Sequence, residues 1–459
     1  MKNKLLKTLS IISICMIAVI LGSCGKTNTN KGNLSGNITL TYASWGDANL
    51  DAMLIDEFEK LHENVTIVRD TSITGTGNVF TKNLVTAAQA NMLPDVFITD
   101  SVPSMIENGL VRDVSEYWNA DEDAKKVYTN IAETAVYNGK RLAIPSFQYI
   151  KGMLVNKTLL EGLGAEIPSY DWTFDEFKEL CQRYKGVLNA NNRPTQGVNG
   201  FAPNGTATLG FEQIMPCQDS DTLLYDAYDG EKFNYEDPLW IKYRNETDYF
   251  YSEGLMEQMT AEEKAEIYGN EAAYPFGEGD VMFGIEGSWN VQSVTTDLGN
   301  KLNTVDFYPF PAGKEHKIPV IIDFICVSSQ TKSPDVAFEF AKFMSYGYDG
   351  WKARLQAAKT LNQLITGFPT ANYSDIWTEI KASIDSTKYP GLLANLELLD
   401  AGVPDCDKWM PGYGSFWVWV SENAEDQGFY DMAADQLATV WSTELNKQVK
   451  EAYANLGLN

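Results

Sequence analysis

The stretch Phe276–Asn290 reads FGEGDVMFGIEGSWN. Gly277 and Gly279 mark an exposed turn, Val281 to Ile285 is a short apolar run, and Glu286-Gly287-Ser288-Trp289 follows. An apolar run of this length between turn residues predicts a buried strand, and the Gly-Ser pair predicts a tight strand-to-helix turn with Ser288 as N-cap. Trp289 then stands at the carboxyl end of a strand, the edge at which open α/β sheets bind ligands beside helix N-termini. It is there either a ligand-facing ring or one more core aromatic.

Upstream, Ile38–Ser44 alternates and is rich in β-formers, which predicts a strand ending at Trp45-Gly46. Apolar residues at helical spacing over Asn49–His62 and a short strand at Val65–Val68 complete a β-α-β unit, hence a parallel, doubly wound sheet. A second amphipathic helix over Phe80–Met92 stops at Leu93-Pro94-Asp95, and Asp95–Thr99 is the next strand. Trp45 and Asp100 thus lie at the carboxyl ends of two strands and point into one crevice. Asp100 alternatively caps the helix that starts near Pro103.

A turn at Asn138-Gly139-Lys140 leads through Ser146-Phe147-Gln148-Tyr149 to Gly152–Asn156, which places a hinge near Pro145–Gly152. Thr173 and Glu176 form a capping box, Asn189–Gly210 reads as loop, and the aromatics of Phe233–Tyr251 read as core. Thr304–Pro309 and Pro319–Val327 are strands, and the second carries Asp323 inside an apolar run. A charge in a buried strand is costly unless paired, so Asp323 is a site candidate, or else it faces solvent at the ladder edge. Pro334 opens a helix over Ser333–Tyr346, and Gly367-Phe368-Pro369-Thr370 suits a second crossing between lobes. The loop Asp407–Trp417 is rich in Gly, Pro and Trp, with Trp409 and Trp417 in it and Trp419 just beyond; Asp431–Leu456 is a closing helix.

A chain of 459 residues exceeds what one core usually supports, so two lobes are expected, and 44% apolar with 21% charged residues is ordinary globular composition. The formal charge is −26, more negative still without Lys2, Lys4 and Lys7, which repels nucleic acid and anionic lipid. Those lysines, the apolar Ile11–Leu21 and Leu21-Gly22-Ser23-Cys24 form a cleaved export signal (residues 1–23) ending in a sequence similar to the bacterial lipobox. Cys24 is then the lipidated residue, and the polar residues 24–36 are a flexible tether. Cys181, Cys217, Cys326 and Cys406 show no CxxC or Cys/His clustering, so they read as small buried hydrophobes; a disulfide among them is left open.

No GxxxxGK[ST], GxGxxG, GxSxG or HExxH motif occurs, and neither His62 nor His316 adjoins a nucleophile. No metal or cofactor is expected. What remains is a set of rings and acids at expected strand ends: Trp45, Asp100, Tyr149, Trp289, Asp323 and Trp417. Aromatic faces cover the C–H faces of sugars and carboxylates accept from hydroxyls, a combination that suits a neutral polyol better than an anion. A paired-carboxylate glycosidase using two of Asp100, Glu286 and Asp323 is the alternative, since such acids leave no spacing signature. A surface adhesin is the third reading.

From about Ile38 to the last helix the chain resembles the sugar-type extracellular solute-binding lipoproteins of ABC importers. The residues that carry this are Leu93-Pro94-Asp95-Val96 followed by Glu107-Asn108-Gly109-Leu110; Gly139-Lys140 with Pro145 and Asn156-Lys157; Asp171–Phe177; Gly279-Asp280-Val281-Met282 with Gly287-Ser288-Trp289; and Ser333–Phe343. The resemblance implies two α/β lobes joined by crossing hinge segments, with residues 37–147 plus 327–372 in the first and 148–326 plus 373–459 in the second. It implies a non-enzymatic monomer, anchored on the outer face of the membrane through Cys24, that delivers a carbohydrate to a permease. Trp289, Asp100 and Trp417 are similar to cleft residues of that family, Tyr149 lies in a crossing segment, and Trp409 falls in the same late loop as Trp417. Val155, where the family usually has Tyr, and the aromatic Gln218–Tyr251 region depart from the pattern, which bears on the ligand more than on the class.

Overall fold

A computed structural model describes residues 36–199, 210–295 and 304–458. The export signal, Cys24 and all of the tether but Gly36 lie outside the described residues.

Strand β1 (Ile38–Ala43) pairs in parallel with β2 (Val65–Arg69) and β3 (Val96–Thr99). Between β1 and β2 runs the helix Ala48–Leu61, whose N-terminus Asp47 caps by accepting from the Asn49 and Leu50 N–H groups. Its Leu54 and Phe58 are buried. The chain then recrosses β1 through the helix Gly77–Gln89 to reach β3. Right-handed crossovers in opposite directions put these two helices on opposite faces, which is the expected doubly wound arrangement. Asp95 locks the pair: its Oδ2 accepts from the Thr41 N–H at 2.8 Å and the Thr41 hydroxyl at 2.9 Å.

After the β-hairpin of β4 (Val136–Tyr137) and β5 (Lys140–Arg141), whose turn holds Asn138 and Gly139 at positive φ, comes β6 (Ile144–Asn156). It serves both lobes. Ile144 to Ile150 pair with β10 (Ile318–Val327), whereas Lys151 to Val155 pair with β8 (Val281–Gly287) and Met153 to Asn156 with β9 (Val305–Tyr308). The change of partner falls inside the expected hinge. β10 crosses back, since its last residues pair with β3 and its first with β12 (Gly402–Pro404). The Phe368–Pro369 strand, β11, lies on Phe147 and Gln148 of β6 as a third crossing segment.

Two hydrophobic cores follow. Leu40, Phe58, Phe97, Phe340 and Trp351 anchor the first; Trp172, Phe177, Phe211, Phe250 and Phe283 anchor the second. The capping box at Thr173 and Glu176 is formed, and Tyr235, Trp240, Tyr243 and Phe250 are core as read. Two expectations change. Gln196–Asn199, read as loop, is a parallel edge strand, β7, beside β8; pairing to a preformed neighbour outweighs its low strand propensity. The helix Ser374–Ser383, assigned with everything after residue 373 to the second lobe, buries Ile376 and Ile380 in the first core.

In the second core Asp226 is fully buried at positive φ, with Oδ2 accepting from the Tyr235 and Tyr413 hydroxyls at 2.5 and 2.8 Å and Oδ1 unpartnered. Burial pushes this carboxyl up to about 7, although the two hydroxyls oppose the shift. An acid whose folded value exceeds its unfolded value of about 3.9 lends stability that is complete below pH ~4 and lost as pH rises through the folded value. Asp226→Asn, which keeps an oxygen acceptor, is expected to unfold at a more nearly constant urea concentration from pH 5 to 8 than the parent. Parallel pH dependences would contradict this.

Candidate functional site

The carboxyl ends of β1 and β3 and the hinge strands meet around a cavity of about 320 Å³ whose wall includes Trp45, Asp51, Phe147, Tyr149, Asp323 and Arg354. Phe147 and Tyr149 point the same way because they are two residues apart on β6. Asp323 sits at a bulge in the β6–β10 ladder, a device that re-aims a side chain, and is 7% exposed, which excludes the solvent-facing edge reading.

A residue passed over in the sequence unites three candidates. Lys408, in the loop after β12, places Nζ 2.5 Å from Asp323 Oδ1 and 3.5 Å from Asp100 Oδ1, and 5.8 Å from the Trp45 ring centre. Burial opposes its charge, yet Asp323 and Asp100 hold its pKa above the ordinary lysine range. The Lys408 carbonyl accepts from the Val102 N–H at 2.8 Å, fixing the loop on the first lobe. Asp100 does not cap the following helix; the Ser101 hydroxyl does, at 3.3 Å.

Trp289 is 39% exposed and meets Tyr149 edge to face, ring centres 5.9 Å apart. Its ring lies on Gly287, where a Cβ would come within 2.1 Å, and the Tyr149 ring lies on Gly367, where a Cβ would come within 2.8 Å. Both glycines are therefore needed for these rings to stand where they do. Ser288 is not the N-cap expected of it. Its buried hydroxyl donates to the Thr366 carbonyl at 2.6 Å and accepts from the Ile150 N–H at 3.1 Å, tying β8 to two crossing segments. Glu286 is buried and accepts from the Gly287 N–H at 2.7 Å; burial raises its pKa, but it does not line the cavity.

Four of the seven expected ligand residues do not line the cavity: Asp100, which reaches Lys408, Trp289, which packs on Tyr149, and Trp409 and Trp417. Trp417 is half-buried and packs against the outside of the second core, on Tyr413, Phe416 and Trp441. Trp409 donates its indole N–H to the Asp405 carbonyl at 2.6 Å and packs against both cores. The same loop carries Asp405, fully buried, 3.3 Å from the buried Lys151 Nζ. Cys181, Cys217, Cys326 and Cys406 are buried and free, and among the described residues no group of three His, Cys, Asp or Glu could hold a metal ion.

Removing Lys408 leaves Asp323 without its cation in a nearly dry strand. Lys408→Met is expected to lower stability by roughly 3 kcal/mol in urea titration, with Asp323→Asn added to it recovering much of the loss. An unchanged midpoint in the single variant would contradict the pairing.

Solved structures with this fold include the cyclic alpha-maltosyl-1,6-maltose binding protein from Arthrobacter globiformis (TM-score 0.68, 17% identity, 91% of this chain and 100% of that one covered). The sugar-binding protein MalE from Xanthomonas citri follows at TM-score 0.65 and 14% identity, covering 92% and 100%. An ABC substrate-binding protein from Listeria monocytogenes in complex with cycloalternan gives TM-score 0.61 and 16% identity, covering 92% and 100%. At these identities the likeness speaks for the two-lobe fold. Comparison with curated protein sequences found no match. Residues 43–345, well over half of the chain, match the family described as bacterial extracellular solute-binding protein. With its hinged lobes and its cavity at their junction, this chain belongs to that family of binding proteins.

Proposed function

We propose that the protein is a lipid-anchored receptor that binds a carbohydrate, an oligosaccharide in particular, between its lobes and hands it to an ABC importer. The observation that carries this is the wall of the cavity. Trp45 and Tyr149, with Trp289 packed edge-on against Tyr149, offer ring faces and edges, while Asp323 and Asp51 offer fixed oxygens. Sugars need both kinds of contact, apolar for the ring C–H faces and charge-assisted for the hydroxyls. The neighbours named for maltosyl-maltose and cycloalternan add weight.

The lobes correspond to residues 37–147 plus 327–372 and 148–326 plus 373–459, with the helix Ser374–Ser383 moved to the first on the strength of its packing. Opening and closing occur about the three crossing segments. Open and closed states a few kcal/mol apart suffice, because ligand touches both lobes only when they close. No catalytic step is assigned. Of Asp100, Glu286 and Asp323, the acids of the glycosidase alternative, Asp323 alone lines the cavity, and it is ion-paired with Lys408. The chain works as a monomer on the outer face of the membrane, held by acylated Cys24.

A thermal-shift screen of mono- and oligosaccharides is expected to raise the melting temperature with at least one sugar and return that sugar chemically unaltered. Trp289→Ala is expected to weaken its binding by about 1 kcal/mol beyond the area lost, read by calorimetry; unchanged affinity would remove Trp289 from the site. Cys24→Ser is expected to shift the protein from membrane to medium on fractionation. Retention on the membrane would contradict the anchor.

A further inference from the structure

We propose that Arg354 makes this site selective for a carbohydrate bearing a carboxylate, a uronic acid or a saccharide ending in one, an inference that rests on the carbohydrate reading above. Seen as sequence, the site offered only rings and acids and therefore favoured a neutral polyol. Folding adds Arg354, from the helix Tyr348–Leu361, to the cavity wall.

The acids of that wall are each engaged within the protein. Asp51 Oδ2 accepts from Arg69 Nε at 2.9 Å, Asp323 is paired with Lys408, and Asp47 Oδ1 accepts from the Asn49 and Leu50 N–H groups at 2.9 Å. Arg354 is the opposite case. Among the described residues its hydrogen bonding is a single long contact, Nη2 to the Met344 carbonyl at 3.3 Å, and no carboxylate lies within ion-pair distance of it. A guanidinium carries five N–H donors, so most of this fork is free to meet a guest.

The fork is also held still. Its central carbon lies 4.6 Å from the Phe147 ring centre and 5.7 Å from that of Trp351, both cation–π distances. Burial pulls its pKa below the ordinary arginine value, and Asp51, Tyr42 and Tyr149, which oppose the shift, do not restore it. Half-buried at the cavity wall and without a fixed anion beside it, the guanidinium is placed where an anionic partner gains most. A planar carboxylate matches the planar fork with two parallel hydrogen bonds. A phosphate dianion would meet the carboxylates of Asp47, Asp51 and Asp323 with twice the repulsion.

The test is calorimetric titration of the full chain with glucuronate, galacturonate and their disaccharides, with glucose, galactose and the matching neutral disaccharides, and with a sulfate-ester sugar. The expected result is a uronate bound at least about tenfold more tightly than its neutral counterpart. Arg354→Gln should bring that ratio close to one, and Arg354→Lys should keep part of it. The unfolding midpoint without ligand reports whether each variant is folded; if Arg354→Gln is not, the parent ratio and Arg354→Lys decide. Neutral sugars bound as tightly as uronates by the parent would overturn the role of Arg354 while leaving the carbohydrate reading in place. Preference for the sulfate ester would overturn the carboxylate. Binding of no saccharide would overturn both readings together.

Discussion

Every backbone N–H and C=O of a buried strand needs a partner, and β6 meets that demand by drawing partners from two lobes in turn. Up to Ile150 they come from β10; from Lys151 onward they come from β8 and β9. The lobes can pivot at this exchange with little loss of ladder hydrogen bonds, since only the torsions near it must change. Gly152 stands just beyond, where a Cβ would come within 2.6 Å of the Tyr308 carbonyl and 2.7 Å of the Phe307 ring. Ser288 then stitches the end of β8 to the other side of the junction, so the ring of Trp289 is carried on a backbone fixed from three directions.

Around that junction the balance of charge differs from that of the molecule as a whole. A chain with a formal charge of −26 has a surface field hostile to anions, yet surface charges are screened within about a Debye length, ~8 Å at physiological salt. Inside the cleft, local pairs dominate. Lys408 neutralises Asp323 and reaches Asp100, and Arg69 neutralises Asp51. What faces the cavity is thus a set of rings, engaged carboxylates and one poorly engaged guanidinium. Net charge sets solubility and long-range encounter; a handful of buried contacts sets what the site holds.

Much of this could be read along the chain wherever a local pattern fixed a local result. The strands of the first lobe, the capping box at Thr173 and Glu176, the proline-led helix and the exchange at the hinge depend on periodicity, capping chemistry and turn residues, each confined to a few neighbours in sequence. Where the outcome depended on a distant partner, the reading failed. Gln196–Asn199 became a strand because β8 offered an edge, and Ser288 became a tie because Ile150 and Thr366 came within its reach.

The kind of molecule was legible along the chain: two α/β lobes, with rings and acids at the ends of strands. Those properties reside in residue types and short-range spacing, which survive without tertiary contacts. Only the folded structure decided which of those side chains share a cavity and which are ion-paired. Lys408 lies 85 residues from Asp323, and Arg354 comes from a helix that no motif along the chain singled out. Electrostatic pairing and desolvation act through space at a few ångströms, and no pattern along the chain encodes distances of that kind.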